Sequence, residues 1–213
     1  MQLVGRHWDT GEPVGLEIEA GRITRVTGLA DAESEISRFD DWPWIAPGLI
    51  DVQVNGYGGQ EFSSANLTTD GVLRTIHAFA AFGVTRCCPT LTTESREVLL
   101  HALRTLAAAC ESAPDIAPRI PGIHVEGPYI TAEDGARGAH PRRHCRPPDW
   151  DEFQQFQEAA GGRVRILTMS PEYESSLDFI RRVTASGVIV AIGHTAASPD
   201  RIRAAVDAGA RMS

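Results

Sequence analysis

The 213-residue sequence is poor in cysteine, and no two of its cysteines stand in a metal-binding or redox spacing. The four cysteines are Cys87, Cys88, Cys110 and Cys145, without a Cys-x-x-Cys pair. This excludes a zinc ribbon and a disulfide framework. We interpret all four as reduced thiols, which predicts a cytoplasmic protein.

Long apolar runs and an excess of positive charge are also lacking. Residues 1–15 hold no apolar run flanked by basic residues, so they do not resemble a secretion signal. The most apolar stretch, residues 188–192, is far too short to span a bilayer. The formal net charge of -8 argues against nucleic acid or an anionic membrane as a partner.

What the sequence does contain is typical of a globular protein, with 42% apolar and 23% charged residues. Its length suits one domain, or one large domain with a small appendage. Residues 1–46 read as short β pieces: Leu16 and Ile18 alternate with acidic residues, and residues 22–26 return after a turn at Ala20-Gly21. This pattern predicts a hairpin in a small β unit.

From residue 47 onward, apolar runs alternate with amphipathic stretches, as in the βα units of a parallel sheet. The predicted strands are residues 49–54, 84–89, 120–125, 164–168 and 188–192. The predicted helices lie near residues 69–82, 95–110, 149–159, 175–186 and 199–208.

Five βα units fit two architectures. One is part of a (β/α)8 TIM-type barrel, which needs eight units and about 250 residues. The other is a doubly wound open sheet of five strands. No Gly-rich phosphate fingerprint follows any predicted strand, which weakens the dinucleotide-binding version of the open sheet. Periodicity alone leaves both architectures open.

Polar side chains end three of the predicted strands. Gln53 and Asn55 are two residues apart and therefore share a face. Glu126 ends the third strand, two residues after His124, and His194 follows the fifth. Each of these side chains can also be interpreted as structural, either in an ion pair or as a hydrogen-bonded core residue. Glu126 and His194 together make a better case for a metal site, although the chain offers no obvious third ligand.

A basic loop carries the fourth candidate site. Residues 137–146 contain four arginines and two histidines within a net acidic protein. This loop is either a solvated surface or a site for an anionic group such as phosphate, which guanidinium groups bind in bidentate fashion.

Several motifs, in order, resemble the N-acetylglucosamine-6-phosphate deacetylase family of the amidohydrolase superfamily. They are Ala-Pro-Gly-Leu-Ile-Asp-Val-Gln-Val-Asn-Gly at 46–56, Gly-Ile-His-Val-Glu-Gly-Pro at 122–128, Gly-Ala-His at 138–140, Gly-His-Thr at 193–195 and Ala-Gly-Ala-Arg-Met-Ser at 208–213. The resemblance covers essentially the whole chain.

The resemblance implies a small β-sandwich domain, whose N-terminal part is residues 1–46, on a (β/α)8 barrel that begins at residue 47 and is incomplete at Ser213. It assigns Glu126 and His194 as metal ligands and suggests that Ala139 and His140 contact the substrate. The implied reaction converts N-acetylglucosamine 6-phosphate, a small-molecule substrate, to glucosamine 6-phosphate and acetate. The family also suggests a homodimer.

Two departures from family patterns shape the expected site. Many amidohydrolases hold two metals with a His-x-His motif on the first barrel strand, where this chain has Gln53 and Asn55. Amides are poor replacements for imidazole, so we expect these two residues to support a site with one divalent metal ion, zinc by preference. The resemblance places the third ligand and the catalytic aspartate beyond Ser213, so residues 1–213 alone are expected to be inactive.

Two alternatives remain open at this stage. One is a deacetylase for another N-acetylated sugar phosphate, such as the galactosamine isomer. The other is a non-catalytic phosphosugar-binding protein on the same fold.

Overall fold

The computed structural model describes residues 1–29 and 41–213. These residues form two compact units, Met1–Gly48 and Leu49–Ser213. Residues 30–40, part of the predicted β unit 1–46, lie outside the described residues. The proposed division into a sandwich domain at 1–46 and a barrel domain at 47–213 stays a prediction.

The first unit is a small sheet. Its strands are β1 (Gln2–His7), β2 (Pro13–Glu19), β3 (Arg22–Gly28) and β4 (Trp44–Ile45), in the order β3-β2-β1-β4. The predicted hairpin is present, since Glu19 pairs with Arg22 across a two-residue turn. Ala20 and Gly21 have φ of 50° and 75°, which suits the right-handed twist of a hairpin. The described strands form a single layer, and the second layer of a sandwich stays a prediction.

The second unit alternates strands and helices. In chain order its elements are β5 (Leu49–Val54), β6 (Gly56–Tyr57), β7 (Gln60–Glu61), α1 (Thr69–Phe79), β8 (Val84–Leu91), α2 (Arg96–Ser112), β9 (Ile123–Glu126), α3 (Trp150–Ala159), β10 (Val164–Met169), α4 (Ser176–Ala185), β11 (Ile189–Ile192) and α5 (Pro199–Asp207). Short 3-10 turns occupy residues 80–82, 117–119 and 142–144. Side chains at Thr68, Ser95, Asp149 and Ser198 cap α1, α2, α3 and α5.

The strand order decides between the two architectures. The large sheet has the order β11-β10-β9-β8-β5, and its neighbours pair in parallel. Each strand thus lies beside the next one along the chain, as in a barrel, whereas a doubly wound sheet reverses its order at a switch point. Beyond β11, Met212 forms a further parallel bridge with Ala191. The predicted barrel class is confirmed as a parallel half-barrel of five strands.

The helices bury one apolar face each against this sheet. In α2 the buried positions recur at helical spacing, with Leu99, Leu103 and Leu106 each 0% exposed. Across residues 1–29 and 41–213, every helix is too short or too polar to cross a membrane.

The packing of α2 makes a stability prediction. Replacing Leu103 by alanine should lower the free energy of unfolding by about 2–5 kcal/mol, because it leaves a cavity under the helix. Urea unfolding followed by circular dichroism measures this change. The matched control is Arg104→Ala on the exposed face of the same helix, expected to change stability by less than about 0.5 kcal/mol. If Leu103→Ala lowers the free energy of unfolding as little as Arg104→Ala does, this face of α2 is not part of the core.

Candidate metal centre

A carboxylate and two imidazoles meet at the carboxyl ends of the strands. Glu126 is the last residue of β9, His140 lies in the loop that follows, and His194 comes two residues after β11. Their ligand atoms all lie within 4.8 Å of one another. His194 Nε2 is 2.8 Å from Glu126 Oε1, and His140 Nε2 is 3.2 Å from His194 Nε2.

The curvature of the sheet brings these side chains close enough to contact one another. Strands two apart in a flat sheet are separated by about 9.5 Å. Glu126 nevertheless contacts His194 across β10, and Gln53 Nε2 donates to Glu126 Oε2 at 3.1 Å across β8. The three side chains therefore point into the concave side of the sheet, where the predicted pair of Glu126 and His194 does come together.

His194 has an unusual backbone conformation. Its φ is 49°, in the left-handed region that non-glycine residues rarely adopt. Its carbonyl accepts a hydrogen bond from the Thr131 N–H at 3.1 Å, which helps to hold this conformation. Such strain costs on the order of 1–3 kcal/mol and tends to occur at functional sites.

The Glu126 carboxyl is held in its ionised form. Burial alone would raise its pKa, but hydrogen bonds and charge interactions with His140 and His194 lower the pKa to about 2. Gln53 adds a further donor. Glu126 is therefore anionic at neutral pH, the charge state in which a carboxylate can bind a cation.

The hydrogen bonds of His140 decide its chemistry. The Thr93 N–H donates to His140 Nδ1 at 3.3 Å, so this nitrogen carries a lone pair. In the neutral imidazole the proton then sits on Nε2, the atom that faces Glu126 and His194. Nε2 of His140 is thus suited to donate a hydrogen bond rather than to ligate a metal.

The remaining donor set fits a divalent ion. An ionised carboxylate and an imidazole nitrogen are ligands that zinc prefers, and three protein ligands with an open position are usual in catalytic sites. Glu126 and His194 supply two of them. The ionised Glu126 can only accept, so His194 Nε2 donates the 2.8 Å hydrogen bond to Oε1. Among the described residues nothing hydrogen-bonds to His194 Nδ1, so the proton can move to Nδ1 and free Nε2 for a metal ion, whereas the Thr93 N–H prevents this shift in His140.

His124 is a hydrogen-bonded core residue, which agrees with the structural interpretation of its position in the sequence. It is buried, with Nδ1 3.2 Å from Val52 O and Nε2 2.7 Å from Thr168 Oγ1. Burial lowers the pKa of its imidazole. With both nitrogens engaged, His124 joins β9 to β5 and β10 behind the site.

A cavity of about 390 Å³ opens beside the cluster. The predicted residues Gln53, Asn55, Glu126, Ala139, His140 and His194 all line it, together with Thr92 and Pro141. Sequence reasoning missed Thr92 and Thr93, although the polar run that ends β8 was a usable signal.

The basic loop is not a four-arginine anion site. Arg137 donates to the carbonyl oxygens of Gly138 and His140 and pairs with Asp134. Arg146 pairs with Glu152 at 2.8 Å. These two arginines stabilise the loop itself, which leaves Arg142 and Arg143 exposed.

This half-barrel carries its Glu–His–His cluster at the carboxyl ends of its strands, which is where (β/α)8-barrel enzymes place their active sites. Comparison with known proteins is more specific. No family model matches the chain. N-acetylglucosamine-6-phosphate deacetylase of Bos taurus is 39% identical over 169 residues, which is 78% of this chain and 40% of that protein. N-acetylgalactosamine-6-phosphate deacetylase of Shewanella sp. (strain ANA-3) is 34% identical over 166 residues, 78% of this chain and 40% of that protein.

Solved structures agree. N-acetyl-D-glucosamine-6-phosphate deacetylase of Mycobacterium smegmatis superposes with a TM-score of 0.81 at 34% identity, over 99% of this chain and 54% of that one. A mutant of that enzyme has been solved in complex with N-acetyl-D-glucosamine-6-phosphate. The chain is therefore a homologue of N-acetylglucosamine-6-phosphate deacetylases, which confirms the resemblance of its motifs. It spans about two-fifths of the length of the curated relatives that it matches.

Proposed function

We propose that the protein in which this chain occurs hydrolyses the N-acetyl group of N-acetylglucosamine 6-phosphate, releasing glucosamine 6-phosphate and acetate. The observation that carries this proposal is the contact of Glu126 with His194, beside His140, on the concave side of a parallel half-barrel. The names of the homologues support the choice of substrate.

We propose that Glu126 and His194 hold one divalent ion, zinc by preference. When bound, such an ion supplies Lewis-acid activation of water and of the amide carbonyl. Glu126 brings a negative charge that is already stabilised without the ion. Gln53 fixes the second oxygen of that carboxylate, so Oε1 stays directed toward His194.

The remaining residues of the cavity face the substrate in this proposal. His140 donates from Nε2 to the carbonyl oxygen of the acetyl group, where negative charge develops during attack by water. Ala139 and Asn55 line the wall of the same cavity. We propose that a third protein ligand and an aspartate that transfers protons come from the part of the complete protein that corresponds to the remaining length of its relatives.

The composition and the family resemblance support proposals for the localisation, the oligomeric state and the partners of the enzyme. We propose a cytoplasmic homodimer that acts on a small molecule, without nucleic acid or membrane as partner. The net charge of -8 supports the last point, and the family resemblance supports the dimer. We also keep the proposed β domain at 1–46 and barrel at 47–213.

A second substrate has a specific observation in its favour. One homologue, at 34% identity, is an N-acetylgalactosamine-6-phosphate deacetylase. The two sugars differ only in the configuration of one hydroxyl group, and the reacting amide is the same. The cluster of Glu126, His140 and His194 suits both substrates equally.

Acetate release from the complete protein tests the function. We expect turnover with N-acetylglucosamine 6-phosphate, lower turnover with the galactosamine isomer, and none with unphosphorylated N-acetylglucosamine. Prior removal of metal with a chelator should abolish the activity, and added Zn²⁺ should restore it. Turnover that survives full metal removal would contradict the metal-dependent mechanism, and faster turnover of the galactosamine isomer would favour the second substrate.

A further inference from the structure

A second carboxylate, Glu172, lies beside the loop that carries His194. It follows β10, and its Oε2 accepts hydrogen bonds from Ser170 Oγ at 2.6 Å, Thr195 Oγ1 at 2.9 Å and the Ala196 N–H at 3.0 Å. Ser170 is fully buried and its hydroxyl also lies 2.9 Å from Thr195 Oγ1. One oxygen of Glu172 thus gathers donors from the loops after β10 and β11.

These bonds fix the chain directly after His194. Thr195 is the next residue, and its hydroxyl also accepts from the Ala197 N–H at 3.0 Å. On the other side, the His194 carbonyl is held by Thr131. His194 is therefore restrained at its own carbonyl by Thr131 and at the two residues that follow it by Glu172.

Glu172 is itself held in place by the helix that follows the His194 loop. Arg201 on α5 donates from Nε to the Pro171 carbonyl and from its guanidinium to the Tyr173 carbonyl, each at 2.6 Å. These two carbonyls flank Glu172 on both sides. Loop and helix therefore restrain each other through Glu172 and Arg201, which gives the carboxylate a fixed position.

The donors around Glu172 favour its charged form. Burial raises the pKa of this carboxyl, but hydrogen bonds from Ser170, Ala196 and Thr195 outweigh burial and lower the pKa. Charge-assisted hydrogen bonds of this kind are about twice as strong as neutral ones. The arrangement is therefore a firm anchor for the loop.

We propose that Glu172 is a positioning residue, which orients His194 for metal binding through Thr195 and Ala196 without touching the metal. This inference rests on the proposed metal site. Partners that orient metal ligands from outside the coordination sphere typically contribute 10- to 100-fold in metal affinity. Glu172 acts here on the backbone of the ligand, because the φ of 49° at His194 needs an external restraint.

The test is Zn²⁺ affinity of the complete protein, measured by competition with a chromogenic chelator. Glu172→Ala should raise the Kd for Zn²⁺ by about 10- to 100-fold. Glu172→Gln should raise the Kd less than Glu172→Ala does, because an amide oxygen still accepts from this loop but has two lone pairs for three donors and no charge. The visible spectrum of the Co²⁺-loaded protein should change more in Glu172→Ala than in Glu172→Gln.

The matched control is Glu174→Ala. Glu174 is an exposed glutamate two residues after Glu172, so its loss removes a carboxylate from the same loop and leaves the bonds of Glu172 and Thr131 in place. We expect an unchanged Kd for Zn²⁺. A Kd within twofold of normal in Glu172→Ala, or an equal loss in Glu174→Ala, would overturn the inference. Failure of the proposed metal site is a different result, in which Glu126→Gln and His194→Asn leave Zn²⁺ binding intact.

Discussion

Replacing Glu126 by glutamine is expected to weaken Zn²⁺ binding by about 10²- to 10⁴-fold. Zinc bound by three or four protein ligands gains roughly 10–16 kcal/mol, so one ligand contributes about 3–5 kcal/mol. Glutamine keeps the size and the contact with Gln53 but removes the charge, and an amide oxygen is a poor ligand for zinc. His194→Asn should have an effect of the same order.

Metal content after dialysis, together with the chelator competition, measures this loss. The matched control is Glu133→Gln, an exposed glutamate in the loop after β9, which should leave metal binding unchanged. Circular dichroism verifies that each variant is folded. Full metal occupancy in both Glu126→Gln and His194→Asn would remove these residues from the metal site, while the barrel fold would stand.

Much of this fold could be predicted from local patterns. The alternation of apolar strands and amphipathic helices gave five βα units, and Ala20-Gly21 gave the hairpin between β2 and β3. Periodicity could not decide between barrel and open sheet, because both share the same local pattern. That decision depends on which strands pair, a long-range property that appears only in the order β11-β10-β9-β8-β5.

For the site, too, local patterns predicted individual residues but not the contacts between them. Glu126 and His194 could be selected because Glu126 ends a buried strand and His194 follows one by two residues, positions where a polar side chain is unusual in a core without a function. The polar run after β8 marked the position of Thr93, but the partners of Thr93 and Glu172 could not be predicted, because these contacts join residues 47 and 23 positions apart in sequence. Such contacts follow from sheet curvature and loop packing, which leave no local signature.

For the basic loop at residues 137–146, charge alone left two interpretations open, a solvated surface and an anion site. The structure uses Arg137 and Arg146 to bind carbonyl oxygens and the carboxylates of Asp134 and Glu152. A guanidinium group whose donors are already engaged by the protein has little left for a phosphate.

Replacing His140 by alanine is expected to lower kcat by about 10²- to 10³-fold while metal content stays near one ion per chain. Loss of one donor to a developing oxyanion has this magnitude. The expectation follows from the Thr93 N–H, which donates to Nδ1 at 3.3 Å and leaves the proton on the nitrogen that faces the cluster. Geometry alone would also allow His140 as a third ligand, since its atoms lie within 4.8 Å of those of Glu126 and His194.

Parallel measurement of metal content and acetate release separates these two roles. A hydrogen-bond donor loses turnover and keeps the metal, whereas a ligand loses both together. His144→Ala is the matched control, because His144 lies in the same loop and contacts Glu94 rather than the cluster. Its kcat should stay within about twofold of normal. Loss of metal in His140→Ala would mean that His140 binds through Nε2, which requires the Thr93 hydrogen bond to Nδ1 to break when the ion is bound.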